Sequence, residues 1–255
     1  MPLRELAIFR KHGRQYVPDL TTVELPSIFH GRPVISQDIS AEDAAFAATI
    51  CPVGAIRTAP CSIDLGKCLF CRECEFALPG KIRFTPDYKM ASNIRERLVV
   101  KQGENFASAV DPEKVRRELH TLFRHALKLR QVSAAGDNSA EMELNAAGNV
   151  NFDMGRFGIE FVASPRHADG IVITGPISEN MAEAVKISYD AIPSPKLIIL
   201  VGTDAISGGI FTQSPALKRE FLEKYPIDLY VPGNPPHPLT FINGILDLFR
   251  RPNKR

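Results

Sequence analysis

The sequence has no tryptophan, no marked excess of charge of either sign and no long apolar run. Its 31 Lys and Arg residues face 29 Asp and Glu, and a net charge of +2 lacks the strongly basic character usual for nucleic-acid binding. The longest apolar stretches have about five residues, as at Leu197–Val201, whereas a membrane-spanning helix needs about 20. We therefore expect a cytoplasmic protein with no transmembrane segment, no secretory signal and no nucleic-acid partner.

Cysteine is also absent beyond residue 74. All five cysteines, at positions 51, 61, 68, 71 and 74, lie within 24 residues. In a reducing compartment such crowding predicts a metal site rather than disulfides. A chain of 255 residues with 44% hydrophobic and 24% charged residues is otherwise typical of one large or two modest globular domains.

Three of the cysteines, Cys68, Cys71 and Cys74, form a C-x2-C-x2-C run. Three thiolates at this spacing can bind one face of a cubane iron–sulfur cluster from a single tight loop. Bacterial-type ferredoxins continue the run with x3-C-P, and that fourth cysteine binds the other cluster. Here the corresponding residue is Leu78, followed by Pro79, so the run resembles a ferredoxin motif without its fourth ligand.

The segment from Cys51 to Ile56 resembles the C-P end of a second such motif. Counting back from Cys51 by four, three and three residues gives alanine at positions 47, 44 and 41. One complete ligand set is thus lost, at Ala41, Ala44, Ala47 and Leu78. The other is complete, at Cys51, Cys68, Cys71 and Cys74, and we infer that it binds one [4Fe–4S] cluster. A four-thiolate zinc site and unliganded structural thiols are the alternatives, and Cys61 is left as a spare thiol.

The rest of the N-terminal half carries weaker signals. Residues 1–30 read as an extension with little periodicity, and residues 31–90 as a small cysteine-bearing domain that a metal would help to fold. Residues 91–131 read as a helical connector that begins at Asp111 with Pro112 as its first helical residue. Its apolar face would comprise Val115, Leu119, Leu122, Ala126 and Leu129. The basic residues beside that face indicate a solvated rim, or alternatively a docking face for an acidic partner or a lipid surface.

Short apolar strands alternate with helices from about residue 132 onward. The pattern predicts strands at Gly158–Ala163, Gly170–Thr174, Lys196–Gly202 and Ile227–Val231, and helices at Asn180–Ile192, Ser214–Lys224 and Thr240–Arg250. Such alternation predicts an α/β fold with a doubly wound parallel sheet. Ligands of these folds bind at the carboxyl ends of the strands.

Several short motifs of this region resemble one known family. They are Arg156-Phe-Gly-Ile-Glu160, Val172-Ile-Thr-Gly-Pro176, Gly208-Gly-Ile-Phe211 and Tyr230-Val-Pro-Gly233. Together they resemble the small, cluster-bearing subunit shared by complex I and the energy-converting [NiFe] hydrogenases of the formate hydrogenlyase type. The resemblance implies a flavodoxin-like domain over residues 132–255. Residues 31–90 likewise resemble the ferredoxin-like subunit of those complexes, which implies a fusion with a small ferredoxin-like α+β domain.

The resemblance also implies that a cluster has been lost. The family's four cysteine ligands correspond to Asp137, Ala140, Asp204 and Asn234 of this chain, and none of these is cysteine. Carboxylate and amide oxygens are hard ligands that do not suit an iron–sulfur cluster. We therefore expect no cluster in this domain and a vacated pocket filled with polar groups. A cation site at Asp137, Asp204 and Asn234 is the alternative.

The resemblance implies a non-catalytic electron-transfer subunit of an oxidoreductase complex. Its partners would be a hydrogenase-like or complex I-like large subunit and membrane subunits, and it would lie on the cytoplasmic face of the membrane through them. A structural or redox-sensing subunit is the alternative. A free-standing enzyme is disfavoured because the sequence shows no Ser/His/Asp or Cys/His catalytic set.

Overall fold

The N-terminal half of the chain forms short strands and helices around the cysteines. A computed structural model describes residues 3–13, 16–104 and 110–249. Among them, β1 (Pro33–Ile35) pairs with β4 (Ile82–Phe84) in one antiparallel sheet. A second antiparallel sheet has the strand order β2 (Ile56–Thr58), β3 (Cys61–Asp64), β5 (Val99–Lys101). The helices of this half are α1 (Leu3–His12), α2 (Ala41–Ile50) and α3 (Glu73–Ala77). The stretch 3–12 contains no Pro or Gly, so it forms a helix where an irregular extension was expected.

The C-terminal half is built on a five-stranded sheet whose strands are all parallel. Its strands are β6 (Leu127–Ser133), β7 (Ile159–Phe161), β8 (Gly170–Thr174), β9 (Leu197–Val201) and β10 (Leu229–Val231). They are arranged β7-β6-β8-β9-β10, which is the 2-1-3-4-5 order of flavodoxin-like folds. The predicted α/β fold class with a flavodoxin-like sheet is thus confirmed.

Helices accompany this sheet on both faces. Those in the described residues are α4 (Arg117–Phe123), α5 (Ser139–Ala147), α6 (Glu179–Ala191), α7 (Thr203–Ser207), α8 (Glu220–Lys224) and α9 (Pro238–Phe249). The longest described helix, α6, has 13 residues, and no described helix is long and apolar enough to cross a membrane.

The sheet separates two apolar cores. Ile173 and Leu200 face a core that continues into the N-terminal half and includes Cys68 and Cys74. On the other face, Val172 belongs to the core that α5 and α9 cover. Every residue of β8 and β9 is buried, as expected for parallel strands covered on both faces. The cysteine region therefore shares its core with the sheet.

The helix predicted across residues 111–131 is wrong for most of its length. Asp111 does cap a turn, because its Oδ1 accepts the Glu113 N–H, but this turn is a short 3-10 segment. Helix α4 ends at Phe123, and Leu122 is 57% exposed. From Leu127 the segment is instead the interior strand β6, which pairs in parallel with β7 on one side and β8 on the other.

The helix predicted at Ser214–Lys224 begins only at Glu220. The preceding residues are extended and pair with the start of α6: the Glu179 N–H donates to Ala216 O, and the Lys218 N–H to Ile177 O. Backbone groups used in this way are not available for a helix.

The remaining boundaries are only partly covered by the described residues. The last predicted helix begins at Pro238, and its predicted end, Arg250, lies outside the described residues, as does the 105–109 part of the connector. The domain boundaries at 30, 90 and 131 stay predictions.

The loops that follow β6 and β8 approach so closely that only glycine fits. A Cβ on Gly175 would lie 2.4 Å from the Gly136 nitrogen, and Gly175 has φ +80°. Gly80 has nearly the same φ, +79°, but a Cβ added there would have nothing within 4 Å. The two glycines thus separate the effect of backbone conformation from the effect of close contact.

We expect Gly80→Ala to lower the free energy of unfolding by about 1 kcal/mol, the cost of the left-handed backbone alone. Gly175→Ala should cost about 3 kcal/mol or more, because the added methyl group also collides with the Gly136 backbone. Denaturant titration of both variants measures the difference. If Gly80→Ala and Gly175→Ala lost equal stability, the loops after β6 and β8 could move apart without cost.

Candidate metal centre

Four of the five cysteines line a single pocket, which we call the cysteine pocket. Cys51 ends α2, Cys68 follows β3, Cys71 lies in the next loop and Cys74 in α3. The pocket holds about 350 Å³ of space free of protein atoms, its mouth included. Cys68 and Cys74 are buried, whereas Cys71 is exposed at the surface. The structure thus brings together the four residues predicted from spacing, and their role as ligands stays a prediction.

The wall of the cysteine pocket is apolar, and two backbone amides point at its sulfurs. Its other lining residues include Val53, Ala55, Ile56, Ile63, Leu69 and Phe84. The Ala55 N–H donates to the Cys51 Sγ, and the Phe70 N–H donates to the Cys68 Sγ. The N···S distance is 3.3 Å in both. Such N–H donors favour the thiolate form, which is the form that binds metals.

The loop that carries Cys71 has a strained backbone. Phe70 and Arg72, on either side of Cys71, have φ of +55° and +67°. Non-glycine residues in the left-handed region cost about 1–3 kcal/mol each and persist only where the surroundings hold them. These two residues turn the chain back, so that Cys68 and Cys74 reach the same pocket.

Asp64 holds the start of this loop. Its backbone oxygen accepts the N–H groups of Lys67 and Cys68, and its Oδ1 accepts the N–H of Gly66. Both carboxylate oxygens also accept hydrogen bonds from the Arg95 guanidinium, at 2.8 and 2.7 Å. Asp64 is only 6% exposed, so this bidentate pair compensates the burial of its charge.

Burial favours the protonated form of the Cys68 and Cys74 thiols when no metal is bound. It raises the pKa of Cys68 to about 12 and that of Cys74 to about 11, and the neighbouring cysteines raise both further. A metal centre must therefore displace protons when it binds, and its positive charge stabilises the thiolates. Within the described parts of the chain, no group of three or more His, Cys, Asp or Glu side chains is arranged to hold a metal ion.

Cys61 lies apart from the other four. It is 1% exposed on β3, where its N–H donates to the Gln102 side-chain oxygen, and it does not line the cysteine pocket. Burial raises the pKa of its thiol. These contacts are those of a buried apolar side chain.

The positions predicted as a lost ferredoxin ligand set lie mostly in apolar packing, and the loss itself stays a prediction. Ala44 and Ala47 are 1% and 0% exposed in the core, and Leu78 packs against the same core from the end of α3. Ala41, the first residue of α2, is exposed. Apolar contacts therefore take the place of the second ligand set.

The four positions of the other lost set also converge. Asp137, Ala140, Asp204 and Asn234 line one pocket at the carboxyl ends of β6, β8, β9 and β10, which we call the switch-point pocket. It lies where the strand order reverses, the usual ligand position of such folds. It holds about 240 Å³ of space free of protein atoms, its mouth included.

The carboxylates of the switch-point pocket have opposite environments. The Ser139 side chain and N–H donate to Asp137 and lower the pKa of its carboxyl. Burial, followed by the charge of Asp137, raises the pKa of Asp204. The surroundings thus stabilise the negative charge of Asp137 and disfavour that of Asp204.

Sequence reasoning missed Glu141, which lines the same pocket. This carboxyl is buried and accepts a 2.6 Å hydrogen bond from the Thr174 hydroxyl. Its place about one helical turn after Asp137, at the start of α5, is the signal that could have found it.

Thr203 joins the two pockets. Its side chain is fully buried and lines the switch-point pocket. Its hydroxyl lies 2.9 Å from the Cys68 backbone oxygen and 3.2 Å from the Gly233 backbone oxygen. The cysteine pocket and the switch-point pocket are therefore neighbours.

Comparisons with known proteins agree on the C-terminal half. The family described as NADH ubiquinone oxidoreductase, 20 Kd subunit, matches residues 138–248. A probable membrane-bound hydrogenase subunit, mbhJ, of Pyrococcus furiosus is 36% identical over 115 residues, which cover 45% of this chain and 69% of that protein. The chain belongs to the 20 Kd subunit family.

Other members of the 20 Kd subunit family match over a similar segment. An NADH-quinone oxidoreductase subunit of Clostridium beijerinckii is 44% identical over 42% of this chain and 64% of its own. An F(420)H(2) dehydrogenase subunit of Methanosarcina mazei is 41% identical over 42% of this chain and 58% of its own. The chain thus spans less than two thirds of the length of these two relatives.

Among solved structures, a chain of the archaeal membrane-bound sulfane sulfur reductase has 29% sequence identity. The match covers 52% of this chain and 73% of that one, with a TM-score of 0.45, too low to support an inference.

The Asp64–Arg95 pair should contribute to stability where an exposed pair does not. We expect Asp64→Asn to lower the free energy of unfolding by about 2–3 kcal/mol, because it breaks a buried, bidentate pair and leaves Arg95 unmatched. Asp38, whose side chain is 73% exposed and pairs with Lys81, provides the control. Asp38→Asn should change stability far less, because solvent screens an exposed ion pair. Denaturant unfolding of the metal-free chain measures both, and equal effects would contradict the anchoring role of Asp64.

The two carboxylates of the switch-point pocket should affect stability with opposite signs. Since the folded state raises the pKa of Asp204, its charge destabilises the fold above that pKa. Asp204→Asn should therefore raise the free energy of unfolding at pH 7, and the gain should fade as the pH falls through the raised pKa and be gone below the ordinary aspartate value. Asp137→Asn should do the reverse, because the folded state lowers the pKa of Asp137. Unfolding measured from pH 3 to pH 8 checks both signs, and destabilisation by Asp204→Asn would favour a bound cation.

Proposed function

We propose that this chain is an electron-transfer subunit that carries one [4Fe–4S] cluster. Its complex would be membrane-associated and related to the energy-converting hydrogenases and complex I. The observation that carries the proposal is the cysteine pocket, which Cys51 and the run from Cys68 to Cys74 line together from two segments of the chain. The relatives named as hydrogenase and quinone oxidoreductase subunits support the kind of complex.

The residues of the cysteine pocket fit a cluster better than a single ion. Around one zinc ion, four sulfurs lie about 3.8 Å apart, because each Zn–S bond is about 2.3 Å long. A cubane places a different iron under each thiolate, so its ligands stand farther apart. The described thiols line one pocket, and a C-x2-C-x2-C run with a C-P cysteine is the cluster pattern, whereas two C-x2-C pairs are the usual zinc form. The apolar wall and the two N–H···S hydrogen bonds are further features that suit a cluster.

A bound cluster would supply one-electron transfer. Cys51, Cys68, Cys71 and Cys74 would hold it, while Asp64 and Arg95 keep the loop in place. The buried Cys68 and Cys74 exclude water from one side of the pocket. The exposed Cys71 leaves the other side open to a redox partner.

The N-terminal half would be a ferredoxin-like domain fused to the 20 Kd subunit domain. The latter would act as the docking platform for a hydrogenase-like or complex I-like large subunit and, through it, for membrane subunits. The switch-point pocket has oxygen-bearing side chains where thiolates are expected, so no electron path is proposed through it. Electrons would then enter and leave through the cysteine pocket alone.

A structural or redox-sensing role is the second candidate. The observation that favours it is the shared core, since Cys68 and Cys74 pack in the same core as the central sheet. A cluster there would then stabilise the whole fold. If no partner subunit reduces or reoxidises the cluster, yet its removal unfolds the sheet, this second role is the correct one.

Metal and sulfide analysis tests the cluster itself. Chain purified without oxygen should contain about four iron and four sulfide, with a reducible cluster signal in electron paramagnetic resonance. Replacement by alanine of Cys51, Cys68, Cys71 or Cys74 should each remove most of the iron and the signal. Cys61→Ala should keep both, because Cys61 does not line the pocket.

Two results would contradict the assignment. Stoichiometric zinc without sulfide in the unsubstituted chain would show that the four cysteines bind zinc and not a cluster. If Cys61→Ala lost its iron while one of the other four variants kept it, Cys61 would be a ligand in place of that residue.

A further inference from the structure

A cleft that adjoins the switch-point pocket has two histidines in its lining, and we call it the histidine cleft. Residues 28–30 and Phe70 of the N-terminal half line it, as do Glu143 and residues 233–237 of the C-terminal half. It shares residues 233–235 with the switch-point pocket, so it lies at the carboxyl end of the parallel sheet, where such folds bind ligands. It holds about 720 Å³ of space free of protein atoms, its mouth included, which is enough for a small organic molecule.

The first histidine of the cleft, His237, is held in one tautomer. Its Nδ1 accepts the Leu239 N–H at 3.1 Å, so the ring proton lies on Nε2. The rings of Phe29 and Phe152 fix its orientation through T-shaped contacts, with centroids 5.1 and 5.6 Å away. Burial lowers the pKa of His237 to about 4, so the imidazole is neutral at pH 7. His237 is therefore a fixed, uncharged N–H donor.

His30 is a second donor of the same kind. Arg72 lies 2.8 Å from the His30 Nε2, and because a guanidinium can only donate, the proton of His30 lies on Nδ1. Within the described ranges, neither His30 Nδ1 nor His237 Nε2 has a hydrogen-bond partner. Neither nitrogen is sealed from solvent. Two neutral N–H groups are thus open to a ligand in one cleft.

Glu143 supplies an acceptor. Its carboxyl is partly buried, and burial raises its pKa with no neighbouring cation to oppose the shift. In the part of the chain that the structure describes, it forms neither a hydrogen bond nor an ion pair. A polar group that is partly withdrawn from water in this way favours a ligand that donates to it.

The rest of the lining is mainly apolar and aromatic. Phe29 and Phe70 contribute ring surfaces, and Met90 and Pro235 add aliphatic ones. Aromatic side chains and methionine pack well against a flat ring. A cavity of this kind, apolar with a few convergent polar groups of shifted pKa, is typical of a small-molecule site.

We propose that the histidine cleft binds an uncharged, flat ring that bears an amide group, either a carboxamide or a lactam. The amide oxygen would accept from His237 or His30, and the amide N–H would donate to Glu143. The ring would pack on Phe29 and Phe70. This binding site goes beyond the proposed electron-transfer role and does not require a cluster.

The polar groups of the cleft disfavour other classes of ligand. An organic anion would be repelled by Glu143, and a cation would face two N–H donors. A ring with a carbonyl oxygen but no N–H group would displace water from Glu143 without replacing its hydrogen bond. An amide satisfies the donors and the acceptor at once.

Ligand-observed NMR titration of the full chain tests the proposal with four probes that share one ring. Benzamide carries the uncharged amide, acetophenone has the carbonyl without the N–H, benzoate is the anion and benzamidine is the cation. We expect benzamide to bind most tightly and to shift the ring-nitrogen signals of His237. Titration with and without iron separates this site from the proposed electron-transfer role, because the described lining of the cleft contains no cysteine.

Variants locate the binding. His237→Phe keeps an aromatic ring between Phe29 and Phe152 but removes the N–H, so it should weaken benzamide binding at least about fivefold, the effect of one lost hydrogen bond. Glu143→Leu should weaken it by a similar factor. The matched controls His167→Phe and Glu160→Leu change exposed residues outside the cleft and should bind benzamide as the unsubstituted chain does. Denaturation midpoints confirm that all four variants are folded.

Three results would overturn the proposal. The first is no binding of benzamide to the unsubstituted chain, and the second is an equal loss in the cleft variants and their controls. The third is tighter or equal binding of another probe: benzoate or benzamidine would show an ion site, and acetophenone would show that Glu143 takes no part.

Discussion

The arrangement of the cysteines depends on one shared apolar core. The N-terminal half has short strands of three or four residues and cannot enclose a large core by itself. It packs instead on one face of the parallel sheet, where Ile63 and Cys68 share a core with Ile173 and Leu200. The strained loop around Cys71 persists because this packing holds both of its ends. The cysteine pocket is therefore a property of the whole fold rather than of the cysteine segment.

The two sets of positions predicted as lost metal ligands have physically different surroundings. At the first, Ala44 and Ala47 lie in the apolar core and Leu78 packs against it. At the second, Asp137, Asp204 and Glu141 line a cavity, and burial there works against the charge of Asp204. The exposed Asp137 adds to that effect through its own charge, although its contacts with Ser139 stabilise its ionised form.

Much of the fold and the candidate site follows from local sequence patterns. The spacing of Cys51, Cys68, Cys71 and Cys74 was sufficient to group them, because a loop of fixed length limits where thiols can reach. Strands β8 and β9 are continuous apolar runs bounded by turn residues, so their prediction holds.

The errors lie where two periods compete or where a distant partner decides. Leu122 and Leu129 fit a helical spacing, yet Leu127 and Leu129 also fit a strand, and sheet pairing with β7 and β8 decides between them. Glu141 was missed because its burial depends on Thr174, which lies on another strand. Neither the pairing nor the partner is visible in a local window of sequence.

Thr203 has one hydroxyl proton but two backbone oxygens within reach, on Cys68 and Gly233. It can donate fully to only one of them at a time. The Gly233 oxygen also accepts the Thr203 N–H at 2.9 Å, so the loop after β10 stays bound to Thr203 when the hydroxyl donates to Cys68. A partner that moves the Gly233 loop would therefore move Thr203, and with it the hydroxyl that holds the Cys68 backbone. A single side chain with two unequal acceptors gives this fold a mechanical link between its two pockets.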